Sequence, residues 1–299
     1  MVKKEFDKSA LLIVNPVSGK KTVFKYLPQI IRRFMDEGYI VTTMVTGGHS
    51  DAEEFITRFG SRHDLICCTG GDGTLNQTLS GLAKAGLDLP LGYIPCGSTN
   101  DFAIAHGLSS DIMQAAENIL SSGFNCYDIG RFGDKYFSYV AAFGAFSWLS
   151  YTTDQNLKNL LGHTAYILDG IKDLPKVKPY RVKLTADGKV HEGEYIFGAI
   201  CNTTSIAGTI ELPASLVDTC DGMFEVLLIK SPKNISEFEL TLRGLIMQDY
   251  SCSNIDFFRA QNIHIENAPS LEWALDGEES GQFKEADVSV MPGFLKLLG

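Results

Sequence analysis

The stretch Asp64–Gly73 reads Asp-Leu-Ile-Cys-Cys-Thr-Gly-Gly-Asp-Gly and constrains the chain more than any other. Its apolar run Leu65 to Cys68 predicts a buried strand, and a helix-like segment from Thr74 to Lys84 follows at once. Between them, Gly70, Gly71 and Gly73 leave almost no side chains in the turn. Unpaired N–H groups at a helix start sit at the positive end of the helix dipole, and glycine lets an anion approach them closely, so the pattern suits phosphate. Asp72 inside such a turn would repel a bare phosphate but could reach one through Mg²⁺ or a water on Mg²⁺. The alternative is an ordinary tight turn between strand and helix, which glycine punctuates just as readily.

The first half repeats this strand–turn–helix pattern. Ala10 to Val14 predicts a strand ending in Asn15-Pro16-Val17-Ser18-Gly19, and apolar residues from Val23 to Phe34 recur at helical spacing up to a C-cap at Gly38. Pro28 either kinks that helix or marks its true first turn. Tyr39 to Val45 predicts a strand, and Ser50-Asp51-Ala52-Glu53 has the form of a capping box. A strand at Leu91 to Ile94 leads into the polar turn Pro95 to Asp101 and a short helix at Phe102 to His106. A helix near Ile112 to Leu120 and a strand near Asn125 to Phe132 complete the run. Repeated β–α units imply a doubly wound parallel sheet with ligands at the carboxyl ends of its strands. The three turns Asn15–Gly19, Gly70–Thr74 and Gly97–Asp101 would then open onto one edge.

The second half is β-rich. Arg181 to Thr185 and Lys189 to Ile200 flank an Asp187-Gly188 hairpin signal, and further strands are expected at Met223–Lys230, Ile263–Glu266, Leu271–Leu275 and Ala286–Met291. Helices are expected near Gln155–Asp173 and Ile235–Met247. The composition shift places two domains at 1–130 and 131–299. Near the end, Leu275-Asp276-Gly277-Glu278-Glu279 sets three carboxylates in a glycine turn, which taken locally reads as a solvated hairpin tip.

A net charge of −10 over 299 residues argues against a broad nucleic-acid surface. Seven cysteines, two of them adjacent in an expected core strand and none in a Cys-x-x-Cys pair, fit a reducing cytoplasm and no structural zinc. Charged residues interrupt the first ten positions, so no signal peptide is expected, and no apolar run approaches membrane-spanning length. Any membrane contact would be peripheral. Val14 stands where a Walker loop would need its first glycine, no Gly-x-Ser-x-Gly elbow is present, and the six histidines form no ligand-spaced pair. The aromatic run Phe137, Tyr139, Phe143, Phe146, Trp148 and Tyr151 is expected to pack a core before it lines a lipid cleft.

Taken together, Asn15-Pro16-Val17-Ser18-Gly19, Gly70-Gly71-Asp72-Gly73-Thr74-Leu75-Asn76, Gly97-Ser98-Thr99-Asn100-Asp101-Phe102-Ala103 and Asp276-Gly277-Glu278 resemble, in order and spacing, the diacylglycerol kinase catalytic family. The likeness is to its bacterial soluble lipid kinases, relatives of sphingosine and ceramide kinases, and covers essentially the whole chain. The glycine–aspartate signature is shared with NAD kinases and bacterial phosphofructokinases. The Asn-Pro-x-Ser-Gly opening and the late Asp-Gly-Glu turn separate the lipid kinases from them.

The resemblance implies an α/β nucleotide-binding domain of the NAD kinase and diacylglycerol kinase type, a C-terminal β-sandwich domain, and an active site in the cleft between them. It implies ATP held by Asn15, Pro16, Val17, Ser18, Gly19, Thr46, Gly70, Gly71, Asp72, Gly73, Thr74, Leu75, Asn76 and Ser98. Asp72 would handle Mg²⁺, Asp101 would belong to the same acidic cluster, and Glu278 would be the general base with Asp276 beside it. A structural Mg²⁺ would sit on Asp221 and the carbonyls of Asp218 and Met223. There the family's usual Asp-Asp-Gly is Cys220-Asp221-Gly222, and the loop before it is one residue longer. Lys20 and Asp128 would join an ion-pair network, and Gln77 stands where glutamate is more usual. The implied function is transfer of the γ-phosphoryl group of ATP to a lipid hydroxyl, most simply that of diacylglycerol to give phosphatidic acid, by a cytoplasmic enzyme at the membrane surface, with the homodimer that the family often forms as its implied assembly. A kinase of a soluble hydroxyl compound such as NAD and a non-catalytic nucleotide-binding regulator are the alternatives.

Overall fold

The computed structural model describes residues 6–19, 21–144, 179–206 and 210–299. The expected helix at Gln155–Asp173, together with Lys20, Phe146, Trp148 and Tyr151, lies outside them. The chain divides into two compact units: residues 1–129, 135–138 and 291–299 form the first, and 130–134 with 139–290 the second.

In the first unit, β1 (Lys8–Val14), β2 (Tyr39–Val45), β3 (Leu65–Gly70) and β4 (Leu91–Pro95) form a parallel sheet in the order β2-β1-β3-β4. β3 and β4 are buried along their whole length, as expected where helices cover both faces, whereas the edge strand β2 alternates between half-buried and exposed residues. On one face, α1 (Val23–Asp36) and α5 (Ile112–Ser121) pack Val23, Ile30, Phe34, Ala116 and Ile119 against Ala10, Leu12 and Cys67. α2 (Asp51–Phe59) and α3 (Asp72–Ala85) pack on each other so closely at Gly81 that a Cβ there would lie 2.8 Å from that of Ile56. α4 (Asp101–Ala105) is a single short turn of helix.

Two local expectations need correction. Pro28 lies well inside α1, so it does not mark a first turn. Ser50 has a left-handed backbone (φ 74°) and makes no side-chain cap, so the capping box does not form. Instead the Asp51 carboxylate accepts the N–H groups of Gly47 and Gly48 at 2.7 and 2.9 Å.

The boundary also differs from a single cut at residue 130. After β5 (Phe124–Phe132), residues 135–138, including β6 (Lys135–Phe137), belong to the first unit, and so do the last nine residues of the chain. Leu297 and Leu298 pair in parallel with Leu91 and Gly92 of β4. A sequence reading finds boundaries from local composition, and a strand that returns from elsewhere in the chain leaves no local trace.

The second unit is antiparallel. Its strands are β7 (Val140–Gly144), β8 (Tyr180–Ala186), β9 (Lys189–Cys201), the short pair β10 (Ser205–Ile206) and β11 (Ile210–Glu211), β12 (Phe224–Lys230), β13 (Ile255–Ala260), β14 (Asn262–Leu275) and the start of β15 (Glu278–Leu298). β9 pairs with β7, β8 and β12, and α6 (Ile235–Ile246) lies between β12 and β13. The two strands expected at Ile263–Glu266 and Leu271–Leu275 are one, with a register shift between Glu266 and Leu271; its first part pairs with β8 and its end with β7. Trp273 is fully buried, with Phe132 and Phe143 at ring-centroid distances of 5.1 and 4.9 Å. Phe137, Tyr139 and Phe143 are buried, as core packing predicts. Among the described residues no helix is long and apolar enough to cross a membrane.

Candidate active site

The strand order reverses direction between β1 and β3, since β2 lies outside β1 and β4 outside β3. In open α/β sheets such a switch point is where ligands bind, at the carboxyl ends of the strands. All three polar turns meet there. Asn15 N–H bonds to the Thr69 carbonyl at 3.0 Å, Asn15 Nδ2 donates to Thr74 Oγ1 at 2.8 Å, and Cys96 N–H reaches the Gly70 carbonyl at 2.8 Å. Thr46 joins from β2 through its N–H to the Val14 carbonyl at 2.9 Å.

These turns touch backbone to backbone, and glycine makes that possible. A Cβ on Gly97 would stand 2.5 Å from Gly71 Cα, and one on Gly19, whose φ is +50°, would stand 2.3 Å from the Cys96 carbonyl oxygen. Neither approach tolerates a side chain. The result is a ring of main chain around the start of α3, with Ser18 near Gly71 and Ser98 exposed at the rim.

Not every expected nucleotide residue has a side chain available for contact. Leu75 is fully buried in the core, Thr74 accepts the Asn15 bond, and Asn76 Nδ2 donates to the Tyr136 carbonyl at 3.0 Å. Val17 by contrast is 65% exposed. Leu75 and Asn76 therefore help to seat α3, and any bond of Leu75 to a nucleotide runs through backbone.

Asp72 is the first residue of α3, yet its carboxylate serves α4. Oδ2 accepts from Asp101 N–H at 3.1 Å and Oδ1 from Phe102 N–H at 3.1 Å, so one carboxylate caps the neighbouring helix. This places Asp72 beside Asp101, whose carboxyl pKa is raised, first by burial and then by the Asp72 charge. Two carboxylates held so close favour a cation between or beside them. Two are too few to hold a divalent ion alone, and phosphate oxygens can complete its shell. His106 closes α4 from behind, stacked on Phe102 at 4.1 Å and against Tyr127 at 4.4 Å between ring centroids. Burial pushes its pKa down to about 4, so it is a neutral packing group near pH 7. The sequence reading attached no role to it.

Within the second unit, Asp276 and Gly277 form the two-residue turn between β14 and β15, with φ of 49° and 82°. Both values are positive, as a type I′ hairpin requires. Gly277 is exposed as a solvated tip predicts, but Asp276 is not: it is only 4% exposed, and its Oδ1 accepts from Tyr139 and Val140 N–H at 3.0 and 3.1 Å. Glu278, two residues on, is exposed at the start of β15. This turn thus presents an anchored aspartate and an accessible glutamate.

The remaining expected residues fall elsewhere. Asp128 is buried in the first unit and accepts from Gly293 N–H at 2.7 Å, while its expected partner Lys20 lies outside the described residues. Asp218 Oδ1 accepts from Cys220 N–H at 3.0 Å, and Asp221 Oδ1 from Met223 N–H at 3.1 Å. The other Asp221 oxygen pairs with the Arg259 guanidinium. A carboxylate so engaged does not fit a resident Mg²⁺.

Residues 9–132 match the family model for the diacylglycerol kinase catalytic domain, and residues 147–299 that for the YegS C-terminal NAD kinase beta sandwich-like domain. A diacylglycerol kinase of Bacillus subtilis (strain 168) is 34% identical over 281 residues, covering 92% of this chain and 91% of its own. One from Staphylococcus haemolyticus (strain JCSC1435) is 32% identical, covering 92% and 83%. In fold, the chain is similar to the crystal structure of a diacylglycerol kinase from Bacillus anthracis str. Sterne, with a TM-score of 0.75 at 24% identity over 97% of this chain and 96% of that one. Sequence, fold and the convergence of the phosphate turns agree: the chain belongs to the diacylglycerol kinase family, ATP-dependent kinases with a hydroxyl acceptor.

Proposed function

We propose that the chain transfers the γ-phosphoryl group of ATP to the hydroxyl of a diacylglycerol-like lipid. The observation that carries this reading is the meeting of Asn15–Gly19, Gly70–Thr74 and Gly97–Asp101 at the switch point of the first unit, a main-chain cradle with two acidic side chains beside it. The backbone of those turns, with Ser18, Thr46 and Ser98, holds the phosphates and the nucleotide. Asp72 and Asp101 would hold the Mg²⁺ of Mg-ATP, which would supply neutralisation of charge on the transferring group. Glu278 accepts the proton of the acceptor hydroxyl as its oxygen bonds to the γ-phosphorus and the bond to the ADP oxygen breaks. Asp276 keeps the Glu278 turn in place. The acceptor lies in a membrane, so the enzyme meets it by peripheral contact from the cytoplasm. A homodimer is the assembly the resemblance implies, and sedimentation tests it.

The experiment is transfer of labelled γ-phosphate, with Mg²⁺, to dispersed diacylglycerol, sphingosine and ceramide and to NAD, comparing wild type with Glu278→Gln. Lipid labelling that falls by about 10²- to 10⁴-fold in the variant, with ATP binding kept, is the expected result. The likeness of the second unit to the NAD kinase sandwich favours one other reading, a soluble acceptor, and labelling of NAD alone would move the assignment there. No labelling of any acceptor despite ATP binding would favour a regulator.

A further inference from the structure

The turn before β12 is held by charges that the kinase chemistry does not use. Asp221 and Glu225 both face Arg259, whose guanidinium pairs with Asp221 Oδ2 and whose Nε lies 3.1 Å from Glu225 Oε1. Glu225 and Arg259 are direct cross-strand partners of β12 and β13. The Glu225 side chain is fully buried, and its second oxygen has no hydrogen-bond partner among the described residues. A buried carboxylate is tolerated only when paired, and here the pairing cation is a side chain of the same chain.

We infer that Arg259 is the built-in counter-cation of the Asp218–Met223 turn, in place of the structural divalent ion that the resemblance implies there, and that this unit folds without such a metal. Three physical features support it. The guanidinium is charged at every accessible pH and its planar fork reaches two carboxylates at once. It is tethered by a β-strand in register with Glu225, whereas Mg²⁺ must shed water and find near-octahedral oxygen geometry. A divalent ion added to Asp221 would lie against a fixed positive charge. Removing that charge should convert Asp221 and Glu225 into a cation site. This inference is independent of the phosphoryl-transfer reading, since its test uses no nucleotide and no acceptor.

The test is thermal unfolding of the full chain without nucleotide, in EDTA and in millimolar Mg²⁺ or Ca²⁺, for wild type, Arg259→Ala, and Arg259→Ala combined with Asp221→Asn. The expected wild-type melting temperature is the same in EDTA and in Mg²⁺. Arg259→Ala should melt lower in EDTA by on the order of 5–10 °C and recover part of that loss on adding Mg²⁺ or Ca²⁺. The added Asp221→Asn should abolish the recovery. Should Arg259→Ala fail to fold, Arg259→Lys replaces it, keeping charge but losing the bidentate fork, with a smaller drop and no metal response expected. A wild-type protein that melts lower in EDTA and regains stability with Mg²⁺, an effect lost in Asp221→Asn, would overturn the inference. So would an Arg259→Ala protein as stable as wild type in EDTA.

Discussion

Asp276 and Val140 hold each other through two hydrogen bonds: the Asp276 N–H donates to the Val140 carbonyl at 2.8 Å, and the Val140 N–H donates to Asp276 Oδ1 at 3.1 Å. A residue in the left-handed region at a hairpin tip is thereby fixed to a neighbouring strand by main chain and side chain together. The same device recurs at the other Asp-Gly turn, where Asp187 accepts from Gln261 and Asn262 N–H at 2.9 and 3.0 Å. Aspartate suits both places because it tolerates positive φ and carries an acceptor of the right reach.

Asp276→Ala should therefore cost stability as well as rate. It strands two buried N–H groups and puts a Cβ-only residue at φ 49°, a loss of about 2–4 kcal/mol. Asp276→Asn keeps an acceptor and a residue type at home in that conformation, so its urea midpoint should stay near wild type. Turnover should fall in both, but much less in Asn than in Ala. An Ala variant with wild-type midpoint and turnover would refute the anchoring role.

The backbone contact between Gly71 and Gly97 makes a sharper test of the nucleotide cradle. Gly97→Ala places a methyl 2.5 Å from Gly71 Cα and 2.6 Å from Asn100 Oδ1, so the two turns must separate. ATP affinity, measured by calorimetry, should weaken at least tenfold. Gly86→Ala is the control: its φ is +62° but the space around it is open, so it should cost about 1 kcal/mol of stability and leave ATP binding intact.

His106 gives stability a pH dependence of calculable sign. Its pKa is about 4 folded, against 6.5 for the free side chain, so the unfolded chain binds the proton more readily. Its contribution is full above pH 6.5 and is lost as pH falls from there toward 4. Between pH 7 and 5 the loss is about 1–2 kcal/mol. Urea unfolding at the two pH values should show a smaller drop in His106→Gln than in wild type. Equal drops would mean that His106 is not buried as a neutral ring.

Asp72→Asn separates two roles of one side chain. Asparagine can still accept an N–H from the start of α4, so folding should change by less than about 1.5 kcal/mol. Removing the charge relieves Asp101 and weakens the cation site, so turnover should fall by at least 10²-fold and the Mg²⁺ concentration for half-activity should rise. Unchanged Mg²⁺ dependence would exclude Asp72 from the metal.

Much of the first unit was legible because its inner strands are buried on both faces. Continuous runs such as Leu65–Cys68 have no polar alternation to confuse them, and the half-exposed edge strand Tyr39–Val45 was readable to the residue from its β-branched run. The meeting of the three glycine turns was legible for a related reason, since turns that follow neighbouring parallel strands open onto the same edge of the sheet. Of β15 the stretch Ala286–Met291 was legible but its start was not: Glu278, Glu279, Gln282, Lys284 and Glu285 line the first part, where half the strand faces water and reads as loop. Asp276 looked solvated because burial by Tyr139 and Val140 comes from 136 residues and more away. The cap that Asp72 lends to α4 was hidden for the same reason, being a bond across 29 residues of chain. The Ser50 capping box failed because the backbone there is left-handed, set by the Asp51 bonds to Gly47 and Gly48.

The edge partner of β4 is written more than 200 residues after β4 itself, in Leu297 and Leu298. The first unit therefore closes this edge only through a pairing of very long sequence separation, the kind of contact whose loop-closure cost slows folding most.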